Sequence, residues 1–151
     1  TSKIKLIDTF EGGIDEAWPP MSVTLTLEDD IDISRGDMIV KTENQARQSQ
    51  DIEAMMCWMH EKPLRLNGKY ALKHSTNDVR CMPKEIVYKV NVNTLEHDKE
   101  DKNIGLNDIF KVKLRTTKPL LNDPYNTNRQ TGSLVVIDEA TNETLGVGMI
   151  M

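Results

Sequence analysis

Apolar and polar residues alternate with a period of two along most of this chain, the pattern of strands that bury one face. Residues 23–27 (VTLTL) put Val23, Leu25 and Leu27 on one side and two threonines on the other. Residues 110–115 show sharper contrast, with Phe110, Val112 and Leu114 facing one way and Lys111, Lys113 and Arg115 the other. Residues 134–137 form a short β-branched run, and residues 145–150 alternate large side chains with Gly146 and Gly148. Residues 52–59, 69–73 and 85–90 are further candidate strands, as are the short runs 1–5 and 38–40. Turn-forming clusters lie between them: Glu11-Gly12-Gly13, Ser34-Arg35-Gly36-Asp37, Leu66-Asn67-Gly68, Ser75-Thr76-Asn77-Asp78 and Glu139-Ala140-Thr141-Asn142. Strands recurring every ~8–12 residues or somewhat more suit a sandwich or barrel. Two stretches have helical potential. Residues 13–17 stop at Trp18-Pro19-Pro20 after a single turn, and residues 94–107 are charged without an apolar stripe, a surface loop with His97 exposed in it. The expected class is all-β.

A polar, aperiodic stretch over residues 41–50 marks a seam. Residues 1–42 carry four basic and nine acidic side chains, whereas residues 43–151 carry fifteen of each, so the formal charge of −5 belongs to the first part. That first part has room for about three strands, and a closed barrel needs about five or six. Residues 1–42 are therefore expected to form an incomplete barrel and 43–151 a closed one. The chain opens on strand-like sequence without a methionine or a secretory signal, as a piece of a longer protein would.

Composition narrows the function classes. With 28% charged residues and no apolar run near the ~20 residues of a spanning helix, a membrane helix is not expected. An acidic segment joined to a neutral one offers no basis for non-specific nucleic-acid binding. Cys57 and Cys81 make no disulfide framework, which fits a reduced, cytoplasmic interior, and their apolar neighbours read as the surroundings of buried, inert thiols.

Candidate chemistry is sparse. There is no G-x-x-x-x-G-K-[ST] and no Gly-rich loop between strand and helix, hence no nest of backbone N–H groups for a phosphate chain. Read as a calcium loop from Asp30, the acidic run 28–32 leads to Arg35 where a glycine is needed and Lys41 where a bidentate glutamate is needed, so its carboxylates read as solvated. Arg35-Gly36-Asp37 reads as a turn. Cys57, His60, His74 and Cys81 are zinc-ligand types, but the spacings C-x2-H and H-x6-C depart from the common structural patterns. A Cys–His pair would lack a third, orienting residue. No catalytic, cofactor-binding or metal-binding residue is assigned. Lys111, Lys113 and Arg115, with Lys118 beyond, form a basic stripe. It reads as the solvated outer face of a strand kept polar against edge pairing. As a binding surface it would suit a partner domain better than nucleic acid, since no aromatic residues are interleaved for stacking.

Residues 23–38 (VTLTLEDDIDISRGDM), 68–80 (GKYALKHSTNDVR) and 131–150 (TGSLVVIDEATNETLGVGMI), with 104–109 (IGLNDI) and 115–120 (RTTKPL), resemble the C-terminal part of the large subunit of bacterial sulfate adenylyltransferase, an elongation-factor-type GTPase. The resemblance covers nearly the whole chain. It implies that residues 1–42 are the last strands of the second domain and residues 43–151 the third, six-stranded-type barrel, both following a GTPase domain that would hold GTP and Mg. It further implies that the complete complex makes adenylyl sulfate and pyrophosphate from ATP and sulfate, that adenylyl transfer belongs to the small subunit, and that this part is structural. The implied partners are the GTPase domain and the small subunit, with no nucleic acid and no membrane. Closed barrels move as rigid bodies and can relay a GTPase switch, and some of His74, Arg115, Tyr125 and Arg129 are expected at such an interface. For His74 and Arg129 a local hydrogen bond that fixes a loop is the equal alternative. Unpaired edges in residues 1–42 imply self-association. The rival function is a nucleic-acid- or transfer-RNA-binding barrel module of a translation-factor relative, against which the acidic first segment and 5% aromatic content count. A self-contained small enzyme would need a site this pattern does not contain.

Overall fold

The computed structural model describes residues 2–41, 43 and 46–151, and these form ten β-strands and no helix. Among the described residues no helix is long and apolar enough to cross a membrane. The chain divides into two units, Thr1–Asp37 and Met38–Met151.

In the first unit, β1 (Ile4–Thr9), β2 (Gly12–Ile14) and β3 (Thr24–Leu27) form an antiparallel sheet in the order β2-β1-β3. The β1–β2 turn needs Gly12, whose φ of 121° lies where a side chain is strained. The expected turn at Arg35-Gly36-Asp37 is present: the Asp37 N–H donates to the Ser34 carbonyl at 3.0 Å, and the Asp37 carboxylate accepts the Ser34 N–H at 2.8 Å. Residues 38–40, expected as a strand, are irregular. Three apolar residues following that turn have no neighbouring strand to pair with among the described residues.

In the second unit, β4 (Arg47–Trp58), β5 (Tyr70–His74), β6 (Asn77–Val90), β8 (Ile109–Asn122), β9 (Ser133–Ile137) and β10 (Thr144–Ile150) form an antiparallel sheet in the order β5-β9-β10-β4-β8-β6. Pairing of β5 with β6 closes it, so Leu72 is flanked by Val79 on one side and Val136 on the other. The two-residue β7 (His97–Asp98) pairs with the end of β6. The ladders shift register between Pro83 and Glu85, Ile86 and Tyr88, and Ser49 and Asp51. Such bulges give long strands the extra twist that closure requires. Pro83, which has no N–H to donate, sits beside one of them.

The alternation read from sequence becomes inside and outside. Ile52, Ala54, Met56 and Trp58 of β4, Phe110, Val112 and Leu114 of β8, and Leu134 and Val136 of β9 fill the interior. Each fully buried large side chain contributes about 1.5–3 kcal/mol. Gly146 and Gly148, opposite the inward Trp58 and Met56, take positions whose neighbours leave no room for a side chain. A Cβ on Gly146 would lie 2.9 Å from the Cys57 carbonyl oxygen, and one on Gly148 2.9 Å from both Leu134 Cδ1 and Met56 Cγ.

Two readings change here. Arg47 to Gln50, assigned to the polar seam, belong to β4, where Arg47 pairs with Asn122 and Ser49 with Leu120. Ladder hydrogen bonds are made by the backbone, so polar side chains do not end a strand. The 94–107 region contributes β7, and its Ile104 is buried in the core, where the Ile104 carbonyl accepts the Leu64 N–H at 3.0 Å.

Candidate functional site

The basic stripe lies on the outer wall of β8, where Lys111, Lys113 and Arg115 each meet a carboxylate from a neighbouring strand and Lys118, beyond them, has no ion pair among the described residues. Lys113 stands directly opposite Glu85 of β6, at 2.8 Å, and Arg115 opposite Asp51 of β4, in contact with its carboxylate. Lys111 reaches diagonally to Glu53 at 2.9 Å. These contacts hold Glu53 below the usual carboxylate range, chiefly through the hydrogen bond from Lys111, and raise Lys111 and Lys113, chiefly through the hydrogen bonds they donate to Glu53 and Glu85. The stripe is half of a cross-strand ladder, and little of its charge is left for a polyanion.

His74 is 1% exposed, inside the barrel rather than on a surface. Its Nε2 lies 2.7 Å from the Thr131 carbonyl oxygen, which can only accept, so Nε2 carries the proton, and Nδ1 has no partner among the described residues. This bond ties the end of β5 to the approach to β9 and is the loop-fixing role. Tyr125 and Arg129 occupy the turn between β8 and β9, with the guanidinium 5.9 Å from the ring centroid. The turn closes tightly on Gly132: a Cβ there would lie 2.4 Å from Tyr125 Cα and 2.7 Å from the Asn128 carbonyl oxygen.

Cys57, His60, His74 and Cys81 do not converge. Cys57 is half-buried on the outer wall, a correction to its reading as buried, because Trp58 takes the inward position beside it. His60 lies in the following loop, 3.5 Å from Glu143. Cys81 points inward, where burial pushes its thiol up to about 12. Among the described residues no three His, Cys, Asp or Glu side chains are grouped to hold a metal.

Three features escaped the sequence reading. Lys89 bridges β6 to the 101–108 loop through Asp108 at 2.8 Å and Asp101 at 3.2 Å, and the Asp108 bond raises it most. A cleft of about 390 Å³ opens beside Trp58, Lys62, Arg65 and Lys69. Finally, the outer wall where β10 meets the 55–57 end of β4 is largely apolar. Val147 stands opposite Cys57 and Val135, and Met149 opposite Met55 and Ser133, with Met59 and Met151 also exposed. The outward Val147 and Met149 on either side of Gly148 were a readable signal, but their neighbours across the ladder were not.

A family model described as GTP-eEF1A C-terminal domain-like matches residues 51–151. Sulfate adenylyltransferase subunit 1 of Bacteroides thetaiotaomicron is 46% identical over 100% of this chain and 33% of that relative. The bifunctional enzyme CysN/CysC of Rhodopirellula baltica is 45% identical over 99% of this chain and 23% of that relative. The chain thus spans a third or less of the length of these two curated relatives. Among solved structures, Sup35 complexed with GDP superimposes with a TM-score of 0.80 over 99% of this chain and 37% of that one, at 16% identity, a likeness of fold.

Proposed function

The chain belongs to the GTP-eEF1A C-terminal domain-like family, and from that membership we propose that it is the non-catalytic supporting part of a sulfate adenylyltransferase large subunit. The observation that carries this is the 46% identity to subunit 1 along the full chain. In this reading residues 1–42 are the last strands of the second domain and 43–151 the third barrel. GTP and Mg belong to the preceding GTPase domain, and adenylyl transfer from ATP to sulfate belongs to the small subunit, all in the cytoplasm. The barrel's part is mechanical. Its interior is filled by side chains such as Trp58, Met56 and Phe110, and closure leaves it no free edge, so it acts as a rigid body.

The apolar wall of β4 and β10 is the face that meets the parent's own GTPase domain. Exposed apolar patches on the order of a few hundred Å² mark interaction surfaces. A handful of side chains falls short of the ~800 Å² per partner of a free-standing complex. A domain tethered in the same polypeptide needs less, because the linker raises its effective concentration. The ion-paired state of Lys111, Lys113 and Arg115 counts against the rival nucleic-acid module.

The test is the complete large subunit, assayed with the small subunit for GTP-stimulated adenylyl sulfate synthesis. Met149→Glu should cut the GTP stimulation severalfold while GTP affinity is unchanged. Stimulation equal to the unaltered subunit would contradict the assigned face, and turnover of GTP, or of ATP and sulfate, by the 151-residue chain alone would contradict the non-catalytic role.

A further inference from the structure

We propose that the cleft beside the 59–69 loop is a docking site for an extended acidic segment of a partner protein, with carboxylates spaced along an aliphatic strand. The cleft of about 390 Å³ is floored by Pro63 and the edges of Trp58 and Tyr70 and rimmed by Lys62, Arg65 and Lys69. Its floor is fixed. Trp58 and Tyr70 meet edge to face with centroids 5.9 Å apart, the Trp58 indole N–H donates to the Lys62 carbonyl at 2.8 Å, and the Tyr70 hydroxyl accepts the Arg65 N–H at 2.9 Å.

Arg65 and Lys69 on the rim carry positive charge that the barrel does not neutralise, while Lys62 is paired. Lys62 lies 3.7 Å from Asp138, the carboxylate lining the cleft. Asp138 is itself occupied by the Ala140 N–H at 2.8 Å and the Thr141 N–H at 3.3 Å, and the Ala140 bond is the main reason it stays ionised below the usual range. Arg65 and Lys69 have no carboxylate within ion-pair distance among the described residues. On the β8 wall, by contrast, Lys111, Lys113 and Arg115 are each matched, and Lys118 beyond them is not.

The form of the ligand follows from what the cleft lacks. A compact phosphate-like anion is held by converging backbone N–H groups, and here those groups are already engaged. The Lys62 N–H donates to His60 Nδ1, that of Leu64 to the Ile104 carbonyl, that of Asn67 to the Pro83 carbonyl and that of Gly68 to the Arg65 carbonyl. What remains are long cationic side chains over an apolar floor, which suit carboxylates distributed along a peptide. A nucleic-acid base would need an open ring face to stack on, and Trp58 is 1% exposed.

The chain has two tryptophans, so Trp18→Phe leaves Trp58, at the cleft, as the sole reporter. The probe is an acetylated, amidated hexapeptide alternating glutamate and isoleucine. The expected result is a saturable change in Trp58 emission that weakens at least tenfold in the Arg65→Glu, Lys69→Glu double variant. A charge-matched control, Lys99→Glu with Lys118→Glu, should leave it within twofold. No saturable change, equal loss in the control, or equally tight competition by inorganic pyrophosphate or single-stranded DNA at matched ionic strength would each overturn the proposal.

Discussion

Gly132 shows how one position can hold a turn and a ladder together. Its carbonyl accepts the Ile150 N–H at 2.8 Å, while its Cα faces the backbone of Tyr125 too closely for any side chain. The nearest atoms are backbone, which cannot swing aside as a side chain would. Gly132→Ala should therefore lower the unfolding free energy by about 3 kcal/mol, the upper range for overpacking, read as a shift of the urea midpoint. Gly148→Ala, whose clashes are with the flexible Leu134 and Met56 side chains, should cost less. An unshifted Gly132→Ala midpoint would mean that the β8–β9 turn is not closed as described. The glycine is plain in the sequence, but the reason for it is not, since Tyr125 approaches from the other end of the turn. His74 is a similar case: nothing local distinguishes a surface histidine from one whose partner, Thr131, lies 57 positions away.

The strands themselves were largely legible, because inward residues recur every second position and closure preserves that order. What one strand's pattern cannot carry is the identity of its neighbours. The basic stripe on β8 looked available because Asp51 lies 64 positions from Arg115. Likewise the polar start of β4 looked like a linker because its pairing partners are in β8. The ladder and its loops also set the acid limit of stability. Glu53, Asp98, Asp101 and Asp138 are all held below their ordinary values, Glu53 chiefly by Lys111, Asp98 by the Asp101 N–H, Asp101 by the Asn103 N–H and Asp138 by the Ala140 N–H. Below about pH 4, near ordinary carboxylate values, the unfolded chain binds more protons than the folded one, so stability falls as pH falls. Their contribution is complete above that value and is lost as pH drops through the depressed ones. Urea midpoints measured from pH 5 down to 2 should decline steeply, and Lys111→Met, which releases Glu53, should flatten the decline. A midpoint that rises on acidification would contradict the ladder.

Across the whole molecule, function follows from closure. A barrel whose interior is occupied by its own side chains offers an outer wall and two ends, and both assignments made above use only those: the apolar wall of β4 and β10, and the basic cleft at one end. Length and alternation were enough to expect an all-β chain with an incomplete first part. The wall and the cleft emerge only once β10 is set between β4 and β9. Closure rests on β5, a five-residue strand paired on both sides. The decisive measurement is the set of cross-strand nuclear Overhauser effects from Leu72. The closed barrel requires backbone contacts to Val79 of β6 and to Val136 of β9 in the same species, whereas contacts to only one of them would mean an open sheet and would contradict this account.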